Sequence, residues 1–443
     1  MPDHVDVWFV GMDGLMIGAD QRARFADRLR GGSLALASCV AFAAVWAPAS
    51  AQEAADEPVG VAVRPRPEYD PIGVRLGAFV ARPQLNVDLS YDDNVFARPN
   101  EQSDTIVRVT PKLSVTSDWP RHLVSLKAEG RFSRYDKFKN EDTDEWLAGA
   151  SGRLDVRRDF NLKFDASHAD KVEPRTSEVY LFTPLDPVTY TQDSVLLSAS
   201  KTFNRLQVTG SAGATDFSYD DTRDVIGDIL DQGYRDRLET EATLRLAYAV
   251  SPKSAFFIEG GALRHEYDRP SPLGVSRDAN GYTVLLGVEG ELTRLVHGEV
   301  SAGLVHYDFS NPAAGDVNDF NYRVKLTWYP TELLTVGLDG AQKLHDTPLP
   351  TTPGYLVQSL SLTADYELRR NLIVTGRLAA SREDYQGIDR TDRRYAGSLA
   401  AKYLLTRGVG ISVRYNHEQR DSSSVAAAGF QDNVVGVGVT LER

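Results

Sequence analysis

The side chains that could do chemistry are spread over the whole chain. Histidine, the commonest general base and metal ligand, occurs singly and mostly near the ends of alternating segments, at His122, His168, His265, His297, His306, His345 and His417. None of them accompanies a serine-nucleophile, zinc-protease or phosphate-loop signature. The sequence therefore predicts no catalytic, cofactor-binding or metal-binding residues, and we expect a protein that is not an enzyme.

Charged side chains follow a clearer rule, because they alternate with apolar ones. In the segment LVSLKAEGRF (123–132), Lys127, Glu129 and Arg131 alternate with apolar or small residues. This period of two predicts a strand with one polar and one apolar face. The same rule places six more charged residues on polar faces: Arg108, Lys112, Glu289, Arg323, Lys325 and Arg414. Such side chains could orient polar solutes without any covalent step.

Alternating segments follow one another from about Val74 to the C-terminus, joined by two kinds of connection. The short ones are 117–122, 157–161, 202–205, 250–254, 292–297, 329–333, 368–371 and 405–408. The long ones are 92–103, 136–143, 169–189, 220–235, 268–280, 310–319, 345–355, 386–392 and 417–429. The two kinds alternate, which predicts an all-β, antiparallel, up-and-down transmembrane β-barrel of eighteen strands, with sixteen as the alternative. A soluble sandwich would leave sheet edges that a closed barrel does not have.

Tyrosines mark the strand ends next to the long connections. Tyr91, Tyr135, Tyr219, Tyr267, Tyr307 and Tyr415 end strands there, and Tyr282, Tyr322 and Tyr395 begin them. A second aromatic set lies near the short connections, at Trp119, Phe160, Phe203, Trp328 and Tyr329. Because amphipathic rings favour the membrane–water boundary, the pattern predicts two aromatic girdles.

The N-terminal residues 1–51 have the three parts of a secretory signal peptide, although Met16 could be the true start. A basic region (Arg22 to Arg30) precedes an apolar core (Leu34 to Ala47), and Ala49-Ser50-Ala51 predicts cleavage after Ala51. A lipoprotein site at Cys39 is the alternative. Cys39 is the only cysteine, so cleavage after Ala51 leaves no thiol. We expect a Pro-rich periplasmic linker at 52–73 and the barrel at 74–443.

Three segments near the start of the barrel resemble a known family: RPQLNVDLSYDDNVF, SDTIVRVTPKLSVTSDW and HLVSLKAEGRFSRY. Their marks are Asp93-Asn94 after the first strand, Ser103-Asp104 at the second, and Pro111 within it. They are similar to the putative β-barrel porin family 2 of proteobacterial outer-membrane proteins, many of which are encoded in exopolysaccharide loci. The resemblance implies a barrel in the Gram-negative outer membrane and, more loosely, a link to polysaccharide export.

The expected function is therefore a passive or gated pore linked to exopolysaccharide export. The alternative is a structural or adhesive surface barrel with a closed lumen. Expected partners are outer-membrane lipid and lipopolysaccharide, the barrel-assembly machinery and components of polysaccharide export. No nucleic-acid partner is expected, because the signal peptide predicts export and the chain carries a net charge of −13.

The longest connection, 169–189, is the best candidate for a constriction. It combines charged residues with the apolar run Val179–Phe182, and the charged residues are Lys171, Glu173, Arg175 and Glu178. Exposing four apolar side chains forfeits burial worth about 1 kcal/mol or more each. The loop could bend into the barrel or lie over its rim, and the sequence leaves both arrangements open.

Overall fold

The computed structural model describes residues 58–176, 184–424, 427 and 429–443. These residues form a closed antiparallel barrel. Its eighteen strands are β1 Phe79–Asp92, β2 Asp104–Ser117, β3 Leu123–Tyr135, β4 Thr143–Arg157, β5 Phe160–Val172, β6 Thr189–Phe203, β7 Leu206–Tyr219, β8 Arg237–Ser251, β9 Ser254–Tyr267, β10 Ala279–Thr293, β11 Val296–Phe309, β12 Val317–Thr331, β13 Leu334–His345, β14 Tyr355–Arg369, β15 Leu372–Tyr385, β16 Thr391–Thr406, β17 Val409–Ser422 and β18 Phe430–Glu442. The predicted architecture and strand number are confirmed.

Each strand pairs with its neighbours in sequence, and the first strand pairs with the last. The β1–β18 register runs from Gln84 opposite Glu442 to Asp92 opposite Val434, which closes the sheet. Small residues let one ion pair reach across this seam on the lumen side. Arg414 of β17 contacts Asp88 of β1, and a Cβ atom at Gly438 of β18 would lie 2.2 Å from Asp88 Oδ1.

The wall has the inside-out polarity of a membrane barrel. On β10, the side chains of Tyr282, Val284 and Leu286 point outward and are 60%, 53% and 63% exposed. Glu259 on β9 is buried inside the barrel. Because hydrocarbon solvates apolar side chains, this distribution suits a bilayer and would be unfavourable in water.

Connections differ between the two ends of the barrel as the sequence predicted. Residues 158–159 and 204–205 are two-residue turns, and Asn204 adopts the left-handed conformation that asparagine tolerates. The opposite end carries the long loops, and short turns mark the periplasmic side of such barrels. The helices among the described residues are three-residue 3-10 turns, and none is long and apolar enough to cross a membrane.

The predicted tyrosine girdle is only partly correct. Tyr91, Tyr282, Tyr322, Tyr395 and Tyr415 face outward, but Tyr135, Tyr219, Tyr267 and Tyr307 lie on the lumen side. Alternation along each strand explains the difference. Phe132 faces the membrane, so Tyr135, three positions later, must face the lumen. Tyr329 of the second girdle also faces inward, where its ring centroid lies 5.4 Å from that of His297.

The residues that carried the family resemblance fix loops to strand ends. The Asn94 side-chain amide donates to the backbone oxygens of Arg98 at 2.8 Å and Gln431 at 2.7 Å. The fully buried Asp104 carboxylate accepts the backbone N–H groups of Lys137 and Phe138, both at 3.0 Å. An amide and a carboxylate are required here because each satisfies backbone groups of another segment.

Candidate functional site

All nine charged residues predicted for the polar faces lie on the lumen side of the wall, and most have polar partners there. Lys112 Nζ lies 2.9 Å from Glu129 Oε1, and Arg131 Nη1 lies 3.3 Å from Glu145 Oε2. Arg108 Nε donates to Ser133 Oγ at 3.1 Å. The remaining predicted residues on this face are Lys127, Glu289, Arg323, Lys325 and Arg414. Their contribution to solute passage stays a prediction.

A charge cluster on β8–β12 is the densest part of the lumen wall. Arg245 Nη1 lies 2.7 Å from Glu289 Oε2 and 2.8 Å from Glu299 Oε2, and Arg245 Nε donates to Glu259 Oε2 at 2.7 Å. Arg323 Nη2 lies 3.0 Å from Glu259 Oε1. Three carboxylates therefore share two guanidinium groups, and Lys325 lies on the same face directly opposite Glu299.

Arg245, Glu259 and Glu299 were missing from the sequence-predicted set. Arg245 could have been predicted from the alternation in the segment RLETEATLRLAY (237–248). In that segment Arg237, Glu239, Glu241 and Arg245 share one face. Beside the cluster the lumen holds a cavity of about 480 Å³, whose lining includes Glu241, Glu259, Asn321, Arg323 and Gln342. These groups can hydrogen-bond a polar solute from several directions.

Residues 173–176, the described start of the loop between β5 and β6, reach across the lumen mouth. The backbone oxygen of Thr176 accepts a hydrogen bond from Arg394 Nη1 on the distant strand β16. Arg394 faces inward, since its Nε also donates to Glu383 Oε1 at 2.6 Å. On the way, Arg175 Nη2 pairs with Glu141 Oε1 at 2.6 Å. These contacts hold the described start of the loop at the mouth, and both the inward arrangement and the arrangement over the rim stay predictions.

The three predicted constriction residues that the structure describes, Lys171, Glu173 and Arg175, contact different parts of the barrel. Lys171 lies on β5, where its Nζ donates to Gln192 Oε1 at 2.7 Å. Glu173 Oε1 lies 2.8 Å from Arg235 Nη2, and Arg175 binds Glu141. Glu178 and the apolar run 179–182 lie outside the described residues, so their place against the wall stays a prediction.

A buried arginine cluster ties three other long loops together at the same mouth. Asp346 Oδ2 lies 3.2 Å from Arg235 Nη2 and 3.4 Å from Arg237 Nη1, and Asp346 Oδ1 contacts Arg277 Nη2. Tyr267 OH donates to Asp346 Oδ1 at 2.9 Å. Burial alone would raise the pKa of the Asp346 carboxyl, but the three guanidinium groups and this hydroxyl hold the pKa well below its usual range.

Backbone contacts strengthen the same loop assembly. Ser271 Oγ donates to the backbone oxygen of Pro350 at 2.8 Å, and Arg277 Nη2 donates to that of Thr347 at 2.5 Å. Guanidinium groups also stack on lumen-facing rings, with Arg235 Cζ 4.0 Å from the Tyr219 ring centroid. Loops 220–236, 268–278 and 346–354 therefore form one packed layer at the long-loop mouth.

The opposite mouth is occupied by residues 58–73, which we call the N-terminal strap. The strap begins with a short 3-10 turn, Val61–Val63, and belongs to the segment predicted as a linker. The backbone N–H of Val61 donates to Thr335 Oγ1 on β13 at 2.9 Å. Arg66 Nη2 lies 3.0 Å from Glu367 Oε2 on β14. Both wall residues face the lumen, so the strap is attached inside the barrel.

The sequence model of the family described as "Putative beta-barrel porin 2" matches residues 66–443. Among solved structures, Pseudomonas aeruginosa OpdK with vanillate is 12% identical, with a TM-score of 0.40 and coverage of 82% of this chain and 99% of that chain. P. aeruginosa OccK2 (OpdF) is 11% identical, with a TM-score of 0.42 and coverage of 82% and 98%. The P. aeruginosa siderophore receptor PirA is 8% identical, with a TM-score of 0.41 and coverage of 82% and 80%. The chain matches no curated protein sequence significantly.

Proposed function

Since the chain belongs to the Putative beta-barrel porin 2 family and is a porin-like outer-membrane barrel, we propose that it is a gated pore for polar solutes. The observation that carries this proposal is the polar lumen, which holds a cavity beside the Arg245–Arg323 charge cluster. Fixed charges inside a pore orient polar solutes and disfavour apolar ones. The proposal assigns the chain no chemical step.

Gating is favoured over a permanently open pore because protein segments cross both mouths. Three packed loops and the loop from β5 to β6 occupy one end, and the N-terminal strap occupies the other. The alternative function, a structural or adhesive barrel with a closed lumen, shares these observations. Ion conductance of the unmodified protein separates the two functions, because a gated pore opens some of the time whereas a structural barrel with a closed lumen does not conduct.

Export of exopolysaccharide is the biological setting we propose for the pore. It is supported by the resemblance, strongest over residues 83–180, to a family many of whose members are encoded in exopolysaccharide loci. In a strain without the gene, we expect polymer in the medium to fall while polymer retained by the cells rises. Unchanged release would contradict this setting without contradicting the pore, which conductance tests separately.

Deleting residues 174–187 is expected to raise single-channel conductance in planar bilayers. The deletion removes the segment that reaches Arg394 but keeps Glu173, whose carboxylate pairs with Arg235. Because conductance follows the open cross-section, loss of a segment inside the mouth must increase it.

Removal of residues 225–227 is the matched control for this deletion. These residues form the tip between the paired strands Thr222–Arg223 and Ile229–Leu230, and Val225 and Ile226 are among the most exposed apolar residues. This control should leave conductance unchanged. If the 174–187 deletion also has no effect, the loop lies outside the conduction path.

A further inference from the structure

The N-terminal strap is bound to β13–β14 by a small set of strong contacts. Arg66 and Glu367 are both almost completely buried, with side chains 5% and 4% exposed. Arg66 Nη2 also donates to the backbone oxygen of Val61 at 2.8 Å, which closes the strap on itself. Arg64 Nη1 adds a second contact to Glu367 Oε2 at 3.3 Å. Glu367 is therefore the residue on which both arginines of the strap converge.

The strap spans the opening between two parts of the wall. Near its C-terminal end, Pro71 helps to line a cavity of about 270 Å³ together with Lys112, Lys127 and Glu129 on β2–β3. Because β18 pairs with β1, strands β13–β14 and strands β2–β3 lie on opposite sides of β1 in the closed sheet. A segment that contacts both groups therefore lies over the part of the mouth between them.

Few apolar contacts support this attachment. Val61 is fully buried, but its neighbours Val59 and Val63 are 47% and 40% exposed. One buried valine contributes little hydrophobic stabilisation compared with a strand of the wall. The attachment therefore depends on the Glu367 carboxylate, since removing one partner of a buried ion pair leaves the other charge uncompensated.

We propose that the N-terminal strap is a periplasmic gate, held closed by Glu367 and opened when Arg64 and Arg66 leave that carboxylate. The attached strap obstructs the mouth, and the released strap hangs from β1 into the periplasm. The binding part of this proposal is independent of the pore function, whereas the gating part depends on it. Two measurements keep them apart.

The first measurement is thiol labelling, which the chain suits because Cys39 is its only cysteine and precedes the strap. A protein beginning at residue 52 carries Val61→Cys, or Val63→Cys as the matched control in the same 3-10 turn. With a water-soluble methanethiosulfonate reagent, Val61→Cys should react about tenfold or more slowly than Val63→Cys, because only the former is buried. Adding Glu367→Gln should raise the Val61→Cys rate to that of the control. Equal rates with Glu367 intact would overturn the proposal.

The second measurement is conductance of the unlabelled barrel, with Glu367→Gln and with residues 58–71 deleted. Both changes should increase the open fraction. Arg75→Gln is the control, because Arg75 and Asp118 form an exposed ion pair on the same side of the barrel. Faster labelling with unchanged conductance would show a strap that detaches without gating and would overturn the gate. Labelling as expected with no conductance in any variant would refute the pore function, and the gate with it.

Discussion

Asp346→Asn is expected to open the packed loops at the long-loop mouth. The substitution keeps the shape of the side chain but leaves Arg235, Arg237 and Arg277 with one fewer buried carboxylate. Breaking a buried charge pair from one side costs about 3–5 kcal/mol. The free energy of local opening should fall by that amount, so amide hydrogen exchange in loops 268–278 and 346–354 should accelerate about a hundredfold or more.

The control for this substitution is Asp231→Asn, because the side chain of Asp231 also joins two of these loops. Asp231 contacts Arg269, but both side chains are about half exposed, at 46% and 50%. Exposed pairs contribute about 0–1 kcal/mol, so the control should change exchange little. Similar acceleration in both variants would mean that the buried cluster does not hold the loops.

The same cluster predicts a dependence on pH. Because the pKa of Asp346 is lowered in the folded protein, its stabilisation is complete above the unfolded pKa of about 3.9. That stabilisation is lost only as the pH falls through the lower folded value. Exchange protection of the wild-type loops should therefore persist from pH 7 to about pH 4, and Asp346→Asn should lack that protection throughout this range.

Replacing Leu286 by arginine is expected to lower the free energy of unfolding in lipid vesicles by about 2–4 kcal/mol. Leu286 lies at the middle of β10 and points outward, so the guanidinium group would enter the hydrocarbon core. Val324→Arg on the outer face of β12 should behave similarly. Denaturant titration of the reconstituted barrel measures both.

Thr283→Arg is the control, three residues from Leu286 on the same strand. Thr283 lines the cavity of about 480 Å³, where a long charged side chain has room among polar groups. The substitution Thr283→Arg should therefore leave the free energy of unfolding nearly unchanged. Equal losses at positions 283 and 286 would refute the assigned facing of β10.

Local patterns predicted the wall but not what fills it. The period-two alternation is present within each strand, so the facing of Lys127 or Arg323 follows from a few neighbouring residues. The alternation also predicts that Tyr135 faces the lumen, because Phe132 faces lipid and lies an odd number of positions away. Position along the strand sets the height of a tyrosine in the membrane, but the face it occupies decides whether it contacts lipid.

The contacts at the two mouths could not be predicted in this way. The ion pair between Arg66 and Glu367 joins residues 301 positions apart, and Arg394 meets Thr176 across 218 positions. Nothing near Arg66 in the sequence distinguishes it from a solvated residue of a Pro-rich linker. Such contacts depend on how the closed barrel brings distant rims together, which a local pattern does not encode.

The seam between β1 and β18 determines the order in which this molecule can be made. Asp88 and Arg414 are 326 residues apart, so their contact forms only after nearly all of the barrel has been synthesised. Until then the growing sheet has two unpaired edges, and such edges invite pairing with other chains. Closure therefore converts an aggregation-prone open sheet into a barrel without edges. Because Gly438 has no side chain, the ion pair between Asp88 and Arg414 has room to form on the lumen side of the closed seam.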